Sequence, residues 1–105
     1  MKSIIQDDEE CFLCHYRGGG LQKHHCIPGT ANRSVSDQDG LWVWLCPACH
    51  TMGKKAVHSA GGAERLKWLR KIAQVCWMEE YVHQHGGKEK AAEDRFRVRY
   101  GKSYL

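Results

Sequence analysis

A small α+β domain is the fold class predicted by this 105-residue chain, on three observations. Two CxxC pairs, at 11–14 and 46–49, bracket a stretch rich in turn formers. The apolar run LWVWL at 41–45 reads as a buried strand, and residues 60–85 carry apolar side chains at helical spacing. Together they give a two-stranded hairpin, a long helix toward the C-terminus and a short basic tail. At 12.0 kDa a single apolar core supplies only modest stability, so a staple is expected, and six cysteines could provide one.

Residues 1–10 read as a mobile leader whose acids, Asp7, Asp8, Glu9 and Glu10, form a solvated run. Its apolar part is only Ile4 and Ile5, too short for a secretory core, and no other segment is long and apolar enough to span a bilayer. A cytoplasmic protein with reduced thiols is therefore expected. Residues 11–105 form one domain. RGGG at 17–20 is a turn signal, LQKHHC at 21–26 fits a strand, and PGTANRSVSDQDG at 28–40 is rich in loop formers, so a long loop should join the two strands. On the second strand Trp42 and Trp44 share a face, which favours core packing over base stacking. From Ala63 onward, Leu66, Leu69, Ala73, Cys76, Trp77 and Tyr81 mark one side of a helix. Trp68, Ile72, Val75 and Val82 widen that stripe, predicting packing against the hairpin until Gly86 and Gly87 end the helix. The tail, 88–105, contains RFRVRY. As a strand it would align three arginines on one face, and a solvated edge explains the pattern equally well.

Cys11 and Cys14, with Cys46 and Cys49, form two knuckles that can each present two thiolates from a tight turn, completing a tetrahedral shell for zinc. Four thiolates leave no open position, so this zinc is structural. The 31 residues between the knuckles exceed the usual zinc-ribbon interval, as a hairpin and its loop in the gap would require. Paired knuckles favour zinc over a redox or disulfide role. Cys26 and Cys76 are left as unpaired core thiols.

Seven histidines is a high number for this length, and His24, His25, His50 and His58 are grouped around the second knuckle. If the hairpin sets residues 24 and 25 opposite 49 and 50, three or four imidazoles converge on a second, open metal site. Adjacent strand residues point to opposite faces, so His24 and His25 share a site only where the strand ends, as Pro28 and Gly29 suggest. His15, beside a turn, and His83 and His85, in the last helical turn, have separate structural fates.

The stretches HHCIPG, LWVWLCPACH and MGKKAVH resemble the HNH nucleases, particularly small phage-type members with a four-cysteine zinc. The resemblance covers about residues 11–60, and RYGKSYL is also similar to the tails of such proteins. It implies a ββα-metal fold, metal-dependent hydrolysis of DNA phosphodiesters, and a phage or prophage origin in a bacterial host, with other phage DNA-processing proteins as further partners. By position, His25 corresponds to the family's catalytic histidine, His24 to the adjacent metal ligand and His50 to the closing ligand. A third imidazole four residues later is replaced by Lys54, which makes His58 the candidate for that part. The family's middle Asn, which orients the catalytic imidazole, falls here on Leu41. Asn32 or a backbone carbonyl would have to take its role.

An imidazole shell shifts the catalytic metal toward Mn2+, Ni2+, Co2+ or Zn2+ and away from Mg2+. A net charge of +4 allows a polyanionic partner. Phosphate contacts are expected from Lys54, Lys55, Arg95, Arg97 and Arg99, with Lys102 behind them. Nothing specifies base readout. A noncatalytic zinc-stapled nucleic-acid-binding module with a degenerate histidine site is the alternative reading, and a thiol oxidoreductase a third.

Overall fold

The computed structural model describes all 105 residues. Strand β1 (Gln22–His25) pairs antiparallel with β2 (Trp42–Leu45), with His24 opposite Val43 and His25 opposite Trp42. Between them lies helix α1 (Thr30–Asp39), and beyond the hairpin follow α2 (Ala63–His85) and α3 (Glu89–Tyr100). The small α+β architecture with a hairpin and a long helix is thus as expected. No helix is long and apolar enough to cross a membrane.

Two expectations about secondary structure are corrected. The segment 28–40, expected as a loop, is largely α1. Its polar residues have little helix propensity, and only Val35 and Ser36 reach inward, so its apolar periodicity is too sparse to recognise. What ends the helix is local: Gly40 adopts a left-handed φ of 72° and donates its N–H to the carbonyls of Asp37 and Ser36. A Cβ at Gly40 would also lie 2.3 Å from the Lys2 carbonyl oxygen, so the close approach of the N-terminal segment requires glycine there. The second correction concerns the tail. RFRVRY is helical, with Phe96 and Tyr100 four residues apart facing inward beside Ala92, and Arg95, Arg97, Val98 and Arg99 outward.

The first ten residues, expected to be a mobile leader, are attached to the hairpin in part. Ser3 Oγ donates to the Trp42 carbonyl, Ile4 N–H to Gly40, and Gln6 Oε1 accepts from the Trp44 N–H. The core gathers Ile27 after β1, Leu41, Val43 and Leu45 of the β2 segment, Leu69 and Ala73 of α2, and Phe96 and Tyr100 of α3, together with three of the knuckle cysteines. Only 22 residues are buried, which leaves the apolar core small enough that the cysteine cluster has a large share in holding it. Trp42 is buried and meets Trp44 edge to face, with ring centroids 5.2 Å apart, as core packing predicts. The buried stripe of α2 is narrower than expected: Leu69, Ala73, Gln74 and Met78 are covered, whereas Trp68 and Val75 are exposed and Cys76 is half-buried. Its principal neighbour is α3, and Trp68 lies over Phe12 of the first knuckle.

Asp39, at the end of α1, ties three helices together. Its carboxylate accepts from Trp77 Nε1 at 2.9 Å, from Tyr100 Oη at 2.6 Å, and from Arg99 Nε and Nη2 at 2.6 and 2.8 Å. The fork geometry of the guanidinium makes this a strong pair even near the surface. Replacing Asp39 with Ala strands the Tyr100 hydroxyl and the indole N–H, and is expected to cost about 2–4 kcal/mol by urea unfolding.

Candidate metal centres

The two knuckles close on each other. The sulfurs of Cys11, Cys14, Cys46 and Cys49 all lie within 4.8 Å of one another, with Cys14 and Cys46 at 3.6 Å. In the first knuckle the chain doubles back through His15, whose N–H donates to the Cys11 carbonyl and whose φ of 67° is left-handed. In the second, the N–H groups of Cys49 and His50 both donate to the Cys46 carbonyl as the chain leaves β2 and winds into a π-helical turn, Ala48–Met52. The thiols of this group do not share one acidity. Burial opposes the Cys11 thiolate, but hydrogen bonds from the backbone at Cys46, Cys14 and Leu13 bring its pKa down to about 7. Burial, and then the neighbouring thiols, push Cys49 far up. Four sulfurs this close can ionise together only around a cation, and four soft donors with none left open match structural zinc.

A second cluster has a different chemistry. The imidazole nitrogens of His24, His50 and His58 also lie within 4.8 Å of one another, with ring centroids 5.5, 5.2 and 4.6 Å apart. His24 reaches it from β1. The hairpin register does not set residues 24 and 25 opposite 49 and 50, because their partners are Val43 and Trp42. The turn after β2 does the work instead, carrying His50 back toward β1 until its Nδ1–H donates to Gln22 Oε1 at 2.7 Å. The chain then returns alongside the knuckle: Val57 N–H donates to the Cys49 carbonyl and His58 N–H to the His50 carbonyl. That return is why His58, eight residues beyond His50, joins the cluster despite the absence of a helical i,i+4 spacing.

His24 Nε2 is the observation that tests the fit of a cation. The residue is only 3 % exposed, and this nitrogen is buried with no hydrogen-bond partner. A buried orphan of this kind is costly, whereas a cation shared with His50 and His58 satisfies it. The Gln22 bond holds the proton on Nδ1 of His50 and leaves Nε2 to ligate. Burial first, and then the imidazoles of His50 and His58, hold the His24 pKa down to about 3, and burial followed by His58 lowers that of His50. Both rings are therefore neutral donors near pH 7. Three nitrogen donors with a half-open rim leave room for a further ligand, unlike the sulfur site.

His25, the last residue of β1, turns to a different partner. Its Nε2 lies 3.2 Å from Asp37 Oδ1 of α1, and Lys23 Nζ lies 3.6 Å from the same oxygen. A cleft of about 370 Å³, lined by His25, Thr30, Arg33, Ser34 and Asp37, opens there. Asn32 does not orient His25, as its Nδ2 donates to the carbonyls of Pro28 and Tyr100, joining the start of α1 to the end of α3. Leu41 is wholly buried in the core.

Among the expected phosphate contacts, Lys54 and Lys55 are exposed on the connection from His50 to His58. Arg95 is exposed on α3, Arg97 lies 3.6 Å from Glu93, and Arg99 is committed to Asp39. Cys26 is buried, which raises its thiol pKa to about 12, with Cys76 adding to the shift. Gln22 and Asp37 were not among the expected site residues. Gln22 carries the period-2 signal, two residues before His24 on the same strand face. Asp37 was hidden inside a segment read as loop.

A pH consequence follows for the chain carrying zinc on its four sulfurs but no second cation. A His24 pKa of about 3 in the folded state, against an ordinary value near 6.5, makes no difference above 6.5 and costs stability as pH falls from 6.5 toward 3, because only the unfolded chain takes the proton. Urea titrations at pH 7 and pH 5 should show the wild type losing about 2 kcal/mol more than His24→Leu. Equal losses would place His24 in water.

No family model matches the chain, and no curated protein or solved structure matches it either.

Proposed function

We propose that the protein is a metal-dependent DNA endonuclease of the HNH type, in which His24, His50 and His58 hold one divalent cation and His25 is the general base. The observation that carries this reading is the convergence of the His24, His50 and His58 imidazoles, with His24 Nε2 buried and unpartnered, and a fourth imidazole supplied by the next residue of the same strand. A single peptide link thus couples the metal shell to the base, because neighbouring Cα atoms stand ~3.8 Å apart.

The bound cation supplies Lewis-acid stabilisation of charge on the phosphate and the departing oxygen. The chain's own residues do the rest. Lys54 and Lys55, exposed on the chain between His50 and His58, draw in the polyanionic backbone. Arg33 on the rim of the His25 cleft offers a bidentate phosphate contact. His25 takes the proton of a water aligned with the scissile phosphorus. The water oxygen bonds to phosphorus as the P–O3′ bond breaks, and the departing O3′ takes a proton from solvent, leaving 5′-phosphate and 3′-hydroxyl ends, as the family resemblance implies. Three nitrogen donors favour Mn2+, Ni2+, Co2+ or Zn2+ over Mg2+.

Supercoiled plasmid incubated with each of these ions reads the proposal directly. Wild type should nick in Mn2+ or Ni2+ and poorly in Mg2+ alone. His25→Ala should lower the rate by about 10²- to 10⁴-fold with unchanged zinc content and thermal transition. If wild type binds DNA but cleaves in none of the ions, the chain is the noncatalytic binding module.

A further inference from the structure

We propose that Asp37 is the positioning residue for His25: it accepts the Nε2–H hydrogen bond, fixes the tautomer and presents Nδ1 as the proton acceptor. This deepens the nuclease reading and rests on it for the catalytic consequence, though not for the hydrogen bond itself.

The geometry joins two residues twelve positions apart in the sequence, on different elements. His25 ends β1, and Asp37 sits in the last turn of α1, where its own carbonyl accepts from the Gly40 N–H that stops the helix. The carboxylate is therefore carried on a fixed piece of backbone. A carboxylate can only accept, so a bond to Nε2 requires the proton on that nitrogen and leaves the lone pair on Nδ1. Lys23 lies 3.6 Å from the same oxygen while its ammonium rests 4.3 Å from the centre of the Trp42 ring, which keeps a positive charge facing Asp37 from β1. The hydrogen bond from His25, and after it Lys23, hold the Asp37 carboxyl below the usual carboxylate range. His25 itself is mostly covered, its side chain 20 % exposed, and the side chains lining the cleft at its ring are all polar. Asn32, with both its contacts made to backbone carbonyls, does not compete for the role.

A surface ion pair with no further role would be nearly silent on removal. The test uses the full zinc-loaded chain and three variants, Asp37→Ala, Asp37→Asn and His25→Ala. In plasmid nicking, Asp37→Ala should lower kcat about 100-fold with KM within threefold of wild type, the scale expected when a reacting group loses its alignment. Asp37→Asn keeps an acceptor oxygen and should recover at least tenfold of that loss. Independently of nicking, nitrogen-15 NMR at about pH 8.5, where an ordinary imidazole is neutral, should show a protected Nε2–H on His25 in wild type and none in Asp37→Ala. A kcat within twofold of wild type in Asp37→Ala, a loss confined to KM, or an Nε2–H equally exposed in both proteins would overturn the proposal. If wild type nicks no plasmid but the protected Nε2–H is present and Asp37-dependent, the hydrogen bond stands and the nuclease reading fails.

Discussion

The approach of four sulfurs, all within 4.8 Å of one another, joins residues 11–14 to residues 46–49, and most of what the protein can do follows from that link. It draws the chain before β1 to the chain after β2, so the hairpin is clamped at one end by a cluster of a few atoms rather than by a broad apolar interface. The clamp matters because the core is small. A structural zinc in a site of this type contributes about 10–16 kcal/mol in short peptides, comparable with or larger than the net stability of a whole domain. With the knuckles pinned, the π-helical turn after Pro47 has a fixed origin, and His50 and His58 are carried to one place by backbone hydrogen bonds to Cys46, Cys49 and His50.

The two clusters are neighbours in sequence and opposites in chemistry. Cys49 belongs to a saturated sulfur shell, and His50, the next residue, belongs to an open nitrogen shell. The adjacency has a consequence for positioning: an ion held by the four sulfurs would also fix the place of His50, a candidate ligand for a second ion. The cost is visible at His24, whose Nε2 is buried without a partner and whose charged form is suppressed by burial and by two other imidazoles. Such an arrangement is hard to account for as packing alone, since an apolar side chain of similar volume would fill the space without stranding a polar atom.

How much of this was legible in the sequence varied with the strength of the local signal. The strand LWVWL and the 23-residue α2 were readable because an unbroken apolar run and a repeated 3.6-residue spacing have few alternative explanations. Helix α1 was not readable, because Ser36 and Val35 alone mark its inner face and the rest of its residues prefer turns in isolation. Tertiary capping by Gly40 and the docking of Asn32 on Tyr100 stabilise it instead. In α3, the alternation in RFRVRY imitated a strand, while the pair that decides the matter, Phe96 and Tyr100, lies at i,i+4 and packs on Trp77. The four cysteines were legible from their spacing; the histidines were legible only as a group in the sequence, because the register expected to gather them is not the one formed and His58 arrives by the return of the chain alongside the second knuckle. The residues that orient them, Gln22 and Asp37, were not, since an amide or carboxylate acquires such a role only through its three-dimensional partner. Arg99 shows the converse: its charge suggested a phosphate contact, and its guanidinium is engaged by Asp39.

The central claim is that one chain holds two ions in chemically distinct shells, four sulfurs for the first and three nitrogens for the second. X-ray absorption at the metal edge of protein carrying zinc in the first site and cobalt in the second reads both shells separately. The account predicts a zinc spectrum with sulfur neighbours only and a cobalt spectrum with nitrogen and oxygen neighbours that disappears, along with one equivalent of metal, in His24→Ala. A single equivalent of metal in the wild type, or cobalt bound unchanged in His24→Ala, would contradict it.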